Sequence, residues 1–208
     1  GVDWIVQDGE NMVKICRKKT HTHHPEGSNY SNSVWGIDEI VTEIQKKTPE
    51  TAWENCEDGG NMMTYKMPQN YVTSILDDAG GTLATRKAVY GATFAFPLRY
   101  TLRYMSEPVI SKYTMRSYMF GGPLVLMQRI TKLNKERQEL VAQELRLYKS
   151  LRSLIRDSRV YHLLPQPDGI ENDVIQAYHE GRDISVIFTF RVENNNTHQR
   201  VKPKGLKR

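Results

Sequence analysis

Up to about residue 130, short apolar runs alternate with polar or helically patterned stretches. Asp3 to Val6 is an apolar run that predicts a buried strand ending at Gln7-Asp8-Gly9. A polar loop with Gly and Pro follows from Lys18 to Ser33, and then Ile37, Ile40, Val41 and Ile44 recur at helical spacing until Pro49 closes the element. Thr51 to Cys56 predicts a strand that ends at Glu57-Asp58-Gly59-Gly60, and Tyr71 to Leu76 another that ends at Asp77-Asp78-Ala79-Gly80-Gly81. Thr82 to Tyr90 has a helical pattern. Ala92 to Phe96 is apolar and stops at Pro97, while Tyr118-Met119-Phe120 and Leu124 to Met127 flank Gly121-Gly122-Pro123. Strands alternating with helical or loop segments are the signature of βα units on a parallel sheet.

The period then changes. Leu140, Leu145, Tyr148, Leu151 and Ile155 form one apolar face at three- and four-residue steps, predicting a helix from Asn134 to about Ile155. Asn134 is a suitable N-cap, and Glu136 in the first turn suits the helix dipole. Beyond it, Ile184, Val186, Phe188 and Phe190 alternate with Ser185 and Thr189, a half-buried antiparallel strand preceded by turns at Pro165, Pro167 and Gly169. A second, all-β unit is expected to begin near Ser158, dividing the chain into 1–157 and 158–208.

Size limits what the first part can be. The chain has 208 residues, whereas a complete (β/α)₈ barrel takes roughly 250. The start on Gly1-Val2-Asp3-Trp4-Ile5-Val6, a strand already under way, reads as a chain cut at its front. Hydrophobic residues at 38% and charged residues at 25% place it in the folded class rather than the disordered one. A net charge of +5 raises nucleic-acid binding, but the basic residues are scattered. Their clearest runs are Arg17-Lys18-Lys19 and Lys202 to Arg208, which read as solvated segments rather than a binding stripe. Cys16 and Cys56 are too few for a disulfide framework and lack zinc spacing. No run approaches the roughly 18 apolar residues of a membrane helix. No nucleic-acid or membrane partner is expected, and the compartment stays open.

Three of the predicted strand ends carry acids: Asp8, then Glu54 with Glu57 and Asp58, then Asp77 with Asp78. Catalytic residues of barrels sit at the C-terminal ends of strands. Glycosidic hydrolysis needs two acids, one to protonate the leaving oxygen and one to attack the anomeric carbon or activate water. Helix capping and loop solubility are the ordinary alternative for such acids. Gly59-Gly60 and Gly80-Gly81 each follow an acidic strand end, where glycine permits a positive φ or close approach to a ligand.

The run Glu54-Asn55-Cys56-Glu57-Asp58-Gly59-Gly60 resembles the E-x-C-x-x-G-G signature of family 36 glycoside hydrolases, the α-galactosidase group. Ser74 to Asp78, with Arg86 shortly after, resembles that family's acid/base strand. Tyr148 to Arg152 and Val201 to Leu206 resemble its last barrel helix and its C-terminal domain. The resemblance implies strands four to eight of a (β/α)₈ barrel followed by the start of an antiparallel β-domain. It also implies retaining hydrolysis of a terminal α-linked sugar. Asp8 takes the nucleophile's place. The acid/base is Asp77 or Asp78, and Asp78 is preferred because its separation from Cys56 is closer to the family spacing. Cys56 and Gly59 match positions that line the sugar pocket, and Arg86 matches a neighbouring arginine, more suited to bracing the site than to acting. No metal or organic cofactor is implied.

There are departures from the pattern. Val6 stands where the family places a lysine that holds sugar hydroxyls, which puts the galactose preference in doubt, and Gly9-Glu10-Asn11 departs from the familiar D-x-N. His21, His23 and His24 lie in a loop without zinc spacing and read as a polar cover over the cleft. Trp35 is a candidate for stacking on a sugar face, while Trp53 and the methionines Met62, Met63 and Met67 read as core packing. The competing reading is an inactive homologue or fragment with carbohydrate binding at most. Its open sheet edges would invite pairing with a second chain.

Overall fold

The computed structural model describes residues 1–9, 16–22, 29–56, 59–60, 63–78, 80–192 and 198–207. Glu10, Asn11, His23, His24, Glu57, Asp58 and Met62, all named above, lie outside them. The chain forms two compact units, 1–74 and 75–208.

In the first unit, β1 (Trp4–Gln7) and β2 (Ala52–Asn55) are joined through α1 (Asn29–Lys47) and pair in parallel, with Gln7 opposite Asn55. Thr73 and Ser74 of β3 (Thr73–Ile75) continue the ladder, Ser74 opposite Asn55. The ridge of α1 is narrower than its spacing suggested, since Val41 is buried while Ile40 and Ile44 are exposed. The helix ends on Lys46 and Lys47, favourable at its negative pole. It also begins at Asn29, earlier than the loop expected to reach Ser33. Trp53 and Met67 are buried, in keeping with their reading as core packing.

In the second unit, α2 (Thr82–Ala92) precedes β4 (Thr101–Met105), α3 (Lys112–Ser117) and β5 (Leu124–Leu126). β4 and β5 pair in parallel. Neither β4 nor α3 was legible in the apolar pattern, because Arg103 and Tyr104 interrupt the strand and Lys112, Arg116 and Ser117 the helix. Tyr118-Met119-Phe120, by contrast, is a buried turn rather than a strand. α4 (Lys135–Arg156) follows, its Asn134 cap accepting from the Arg137 amide at 2.9 Å. The chain then changes hand of pairing: β6 (Arg159–His162), β7 (Asp173–His179) and β8 (Ile184–Phe190) form an antiparallel sheet in the order β6-β7-β8.

One apolar core unites this second unit. It runs from Val89 of α2 and Met105 of β4 through Met115, Val141 and Ile155 to Ala177, Phe188 and Phe190 of the antiparallel sheet. Compactness therefore divides the chain at 74/75, whereas the change from parallel to antiparallel strands comes at Arg159. The basic tail is fixed at its backbone: Gln176 donates to the Lys204 carbonyl at 2.8 Å and accepts from the Lys204 amide at 2.9 Å. The Lys202 and Lys204 side chains remain exposed.

Candidate functional site

The parallel register of the first unit brings two of the named residues together. Gln7 and Asn55 are partners, and the Cys56 amide donates to the Gln7 carbonyl at 2.8 Å, so Asp8 and Cys56 leave neighbouring strands at the same level. Asp8 is exposed and Cys56 half-buried. Gln7 is itself held through its side-chain oxygen by the Tyr71 hydroxyl. Beneath Cys56, Asn55 is buried and donates to Ser74 Oγ at 3.1 Å, which fixes β2 against β3. Gly59 and Gly60 have φ of 61° and 90°, left-handed conformations that a side chain would strain.

Glu54 serves a different purpose. It is buried, and Trp4 Nε1 donates to its Oε2 at 2.8 Å. Desolvation raises its pKa above the ordinary value despite that bond, so burial favours the neutral acid. Trp35 is 63% exposed and lines a groove of α1 with Asp38, Glu39 and Lys66, where Lys66 pairs with Asp38 at 2.8 Å. It therefore lies on the helix and not at a strand end.

The second unit holds the other acids. Asp77 and Asp78 are adjacent but have different partners. Asp77 Oδ1 accepts from the Gly80 amide at 3.0 Å and so closes the turn leading into α2. Asp78 is exposed, and the Tyr104 hydroxyl lies 2.8 Å from its carbonyl oxygen and 3.1 Å from its Oδ1. Behind the turn, Tyr118 donates to Glu107 Oε1 at 2.5 Å, and Gln128 donates to the Glu107 carbonyl. Burial first, then Glu107, raises the Tyr118 pKa, so the phenol stays protonated. A side chain at Gly80 would stand 3.0 Å from the Tyr118 hydroxyl, a tight approach that the hydroxyl would have to yield to.

Arg86 does not face solvent. Its Nε pairs with Asp173 Oδ2 at 2.7 Å, its Nη1 donates to Ser117 Oγ at 2.9 Å, and its guanidinium lies 4.5 Å from the centre of the Phe190 ring. It ties α2 to the antiparallel sheet. Asp173 is raised in pKa because desolvation outweighs the pull of Arg86.

Tyr104, Glu107 and Tyr118 were not singled out from the sequence. Glu107 follows β4 by two residues, so the rule that catalytic acids trail strands would have found it had β4 been visible. Among the described residues no group of three or more metal-ligating side chains occurs, and no helix is long and apolar enough to cross a membrane.

No family model matches the chain. The curated alpha-galactosidase AgaA of Geobacillus stearothermophilus is 25% identical over 147 residues, which is 65% of this chain and 20% of that protein. The solved GH36 alpha-galactosidase AgaA of the same organism superposes with a TM-score of 0.86 at 20% identity, over 99% of this chain and 30% of that one. A variant of it in complex with raffinose gives 0.84 at 21%, over 98% and 30%. The alpha-galactosidase of Lactobacillus brevis gives 0.87 at 16%, over 99% and 29%. The chain thus spans about a third or less of these relatives' lengths. These likenesses support the resemblance to family 36 read from the sequence, and the fold is a partial (β/α)₈ barrel followed by the start of an antiparallel β-domain.

Proposed function

We propose that this chain is the part of an α-galactosidase-like retaining glycosidase that bears both catalytic carboxylates, and that its substrate is a terminal α-linked sugar. The supporting observation is the likeness to alpha-galactosidases over 98–99% of the chain, one of them described with raffinose bound. Asp8 attacks the anomeric carbon to form a glycosyl ester. Asp78 first protonates the leaving oxygen and later takes a proton from the water that cleaves the ester. Cys56 and Gly59 line the sugar, and Trp35 offers a ring to stack on it. Arg86 braces α2, its cation being committed to Asp173. The organisation proposed is 1–157 as barrel and 158–208 as the beginning of the β-domain.

Part of such an enzyme need not turn over substrate by itself. Holding a sugar in a near-attack geometry accounts for roughly 7–11 kcal/mol of a barrier, and that requires a walled pocket. The chain covers 30% of the structures it matches. A chain that binds carbohydrate without cleaving it is therefore the second reading.

Galactose and raffinose titrated into isotopically labelled chain test the first half of the proposal. Amide shifts should appear at Cys56, Gly59 and Asp78. If saturating sugar moves none of them, the carbohydrate reading fails. Hydrolysis of an aryl α-galactoside by the chain should be slight. A rate typical of a complete enzyme would show that this chain holds a self-contained site.

A further inference from the structure

Asp77 and Asp78 are equivalent in sequence but not in their surroundings. The Asp77 carboxylate is committed to the Gly80 amide at 3.0 Å, an arrangement that serves the turn before α2. Asp78 instead meets a group that can both donate and accept. A phenol carries one proton and two lone pairs. Tyr104 Oη lies 2.8 Å from the Asp78 carbonyl and 3.1 Å from its Oδ1.

From this geometry we propose that Tyr104 is the positioning residue of Asp78, holding its carboxyl in one rotamer in both protonation states. The inference rests on Asp78 being the acid/base. When Asp78 is ionised, the phenol proton is shared between the carbonyl and the carboxylate. When Asp78 is protonated on Oδ2, Oδ1 still accepts from the phenol, and the Oδ2 proton is left free for the leaving oxygen. No heavy atom moves between the two states. A double-displacement mechanism needs this property, because the same carboxyl must give a proton and then take one at nearly the same place. Asp77 Oδ1 instead accepts from the Gly80 amide, so its carboxyl is tied within its own turn and not to a neighbouring strand. Near this turn Tyr118 and Glu107 bond each other at 2.5 Å.

Tyr104 comes from β4, the strand after the acid loop, and is half-buried. Its ring is anchored while its hydroxyl reaches the exposed carboxyl. The donor thus arrives from a rigid element, the arrangement that best preserves a catalytic geometry.

Three-bond couplings from the side-chain carboxyl carbon to the backbone nitrogen and carbonyl carbon read the rotamer of each aspartate directly. They should be recorded on the whole chain from about pH 3 to about pH 8, across the titration of a carboxylate. In the wild-type chain, Asp78 should show the couplings of a single rotamer at both ends of the range. In Tyr104→Phe they should become averages over several rotamers at one end or both, with those of Asp77 unchanged. Averaged couplings in the wild-type chain, or a single rotamer retained throughout in Tyr104→Phe, would overturn the proposal. The wild-type measurement suffices should the variant fold poorly. Because the couplings report geometry whether or not sugar is bound, failure here is separable from failure of the glycosidase reading, which the sugar titration decides.

Discussion

Replacing Arg86 by methionine separates a bracing role from a binding one. The wild-type guanidinium and the Asp173 carboxylate are 7% and 9% exposed, and they meet at 2.7 Å. Methionine preserves most of the volume and removes the charge, leaving Asp173 buried with no hydrogen-bond partner on Oδ1 and none remaining on Oδ2 from Arg86. Removing one partner of a buried pair typically destabilises by about 3–5 kcal/mol. For the unit 75–208 that corresponds to a fall in melting temperature on the order of 10 °C or more. Asp173 already has a raised pKa, chiefly from desolvation, and losing Arg86 raises it further. The penalty should therefore shrink as the pH falls and the carboxyl takes up a proton. The double variant Arg86→Met/Asp173→Leu should recover much of the loss, since it leaves no lone buried charge. Trp4, Trp35 and Trp53 all lie within 1–74, so tryptophan emission reports the other unit and near-UV circular dichroism of the tyrosines is the assay. A loss below about 1 kcal/mol for Arg86→Met, the range of an exposed pair, would refute the bracing argument.

Three further outcomes follow from buried or half-buried ionisable groups. Arg103 is buried with Nε and Nη1 unpartnered, Nη2 on the Gly122 carbonyl at 3.1 Å and a pKa brought down to about 10 by desolvation, so Arg103→Met should stabilise the second unit in urea denaturation; a loss would contradict this. Glu54 has a raised pKa, so its contribution is fully present below its unfolded value and diminishes as pH rises through its folded one. Glu54→Gln should then stabilise the first unit at neutral pH and not at low pH, read by tryptophan emission, and an equal effect at both would argue against it. The His162 ring stacks on Phe94 at 4.1 Å and has a lowered pKa from desolvation, so its contribution is present above its unfolded value and is lost as pH falls. Urea midpoints of the second unit should drop between about pH 7 and about pH 5, and His162→Gln should flatten that drop; an unchanged slope in the variant would remove His162 as the cause.

What the sequence disclosed depended on how each element meets the core. Helix α4 was readable to its cap because its stripe of Leu140, Leu145, Tyr148, Leu151 and Ile155 is long and Asn134 stands directly before it. β8 was readable because its two faces differ. β4 was hidden: all its residues but Tyr104 are buried, yet Thr101 and Arg103 are polar, so no apolar run announces it. With β4 went Glu107 and Tyr104, the latter being the partner that distinguishes the surroundings of Asp78 from those of Asp77. The resemblance supplied the acids because a motif preserves spacing, but it could not supply partners that come from the next strand. Arg86 illustrates the same limit from the other side. Its position after the acids suggested a brace for the site, but not its partner, Asp173, 87 residues away in the chain.

The position of Arg86 also explains why the second unit is compact across the change from parallel to antiparallel strands. The acid loop ends at Gly81, whose φ of 88° turns the chain into α2. Within the loop, Asp77 accepts from the Gly80 amide, and Tyr104 of β4 holds Asp78. At its other end the loop continues directly into α2. α2 is an 11-residue helix with no side-chain cap at its start, short for stability from propensity alone. Its fixation comes from tertiary contacts, with Val89 in the shared core and Arg86 bonded to Asp173 of β7 and lying against Phe190 of β8. The antiparallel sheet thus acts as the anchor of the helix that carries the acid loop. It follows that the sheet contributes to the geometry of Asp78 through α2, and that loosening Asp173 should disturb the loop before it unfolds the unit. Amide exchange at Gly80 and Gly81 in Asp173→Asn, measured below the unfolding transition, should therefore accelerate relative to the core amides of α4. Equal acceleration at both would mean that the sheet stabilises the unit as a whole and plays no particular part in holding the loop.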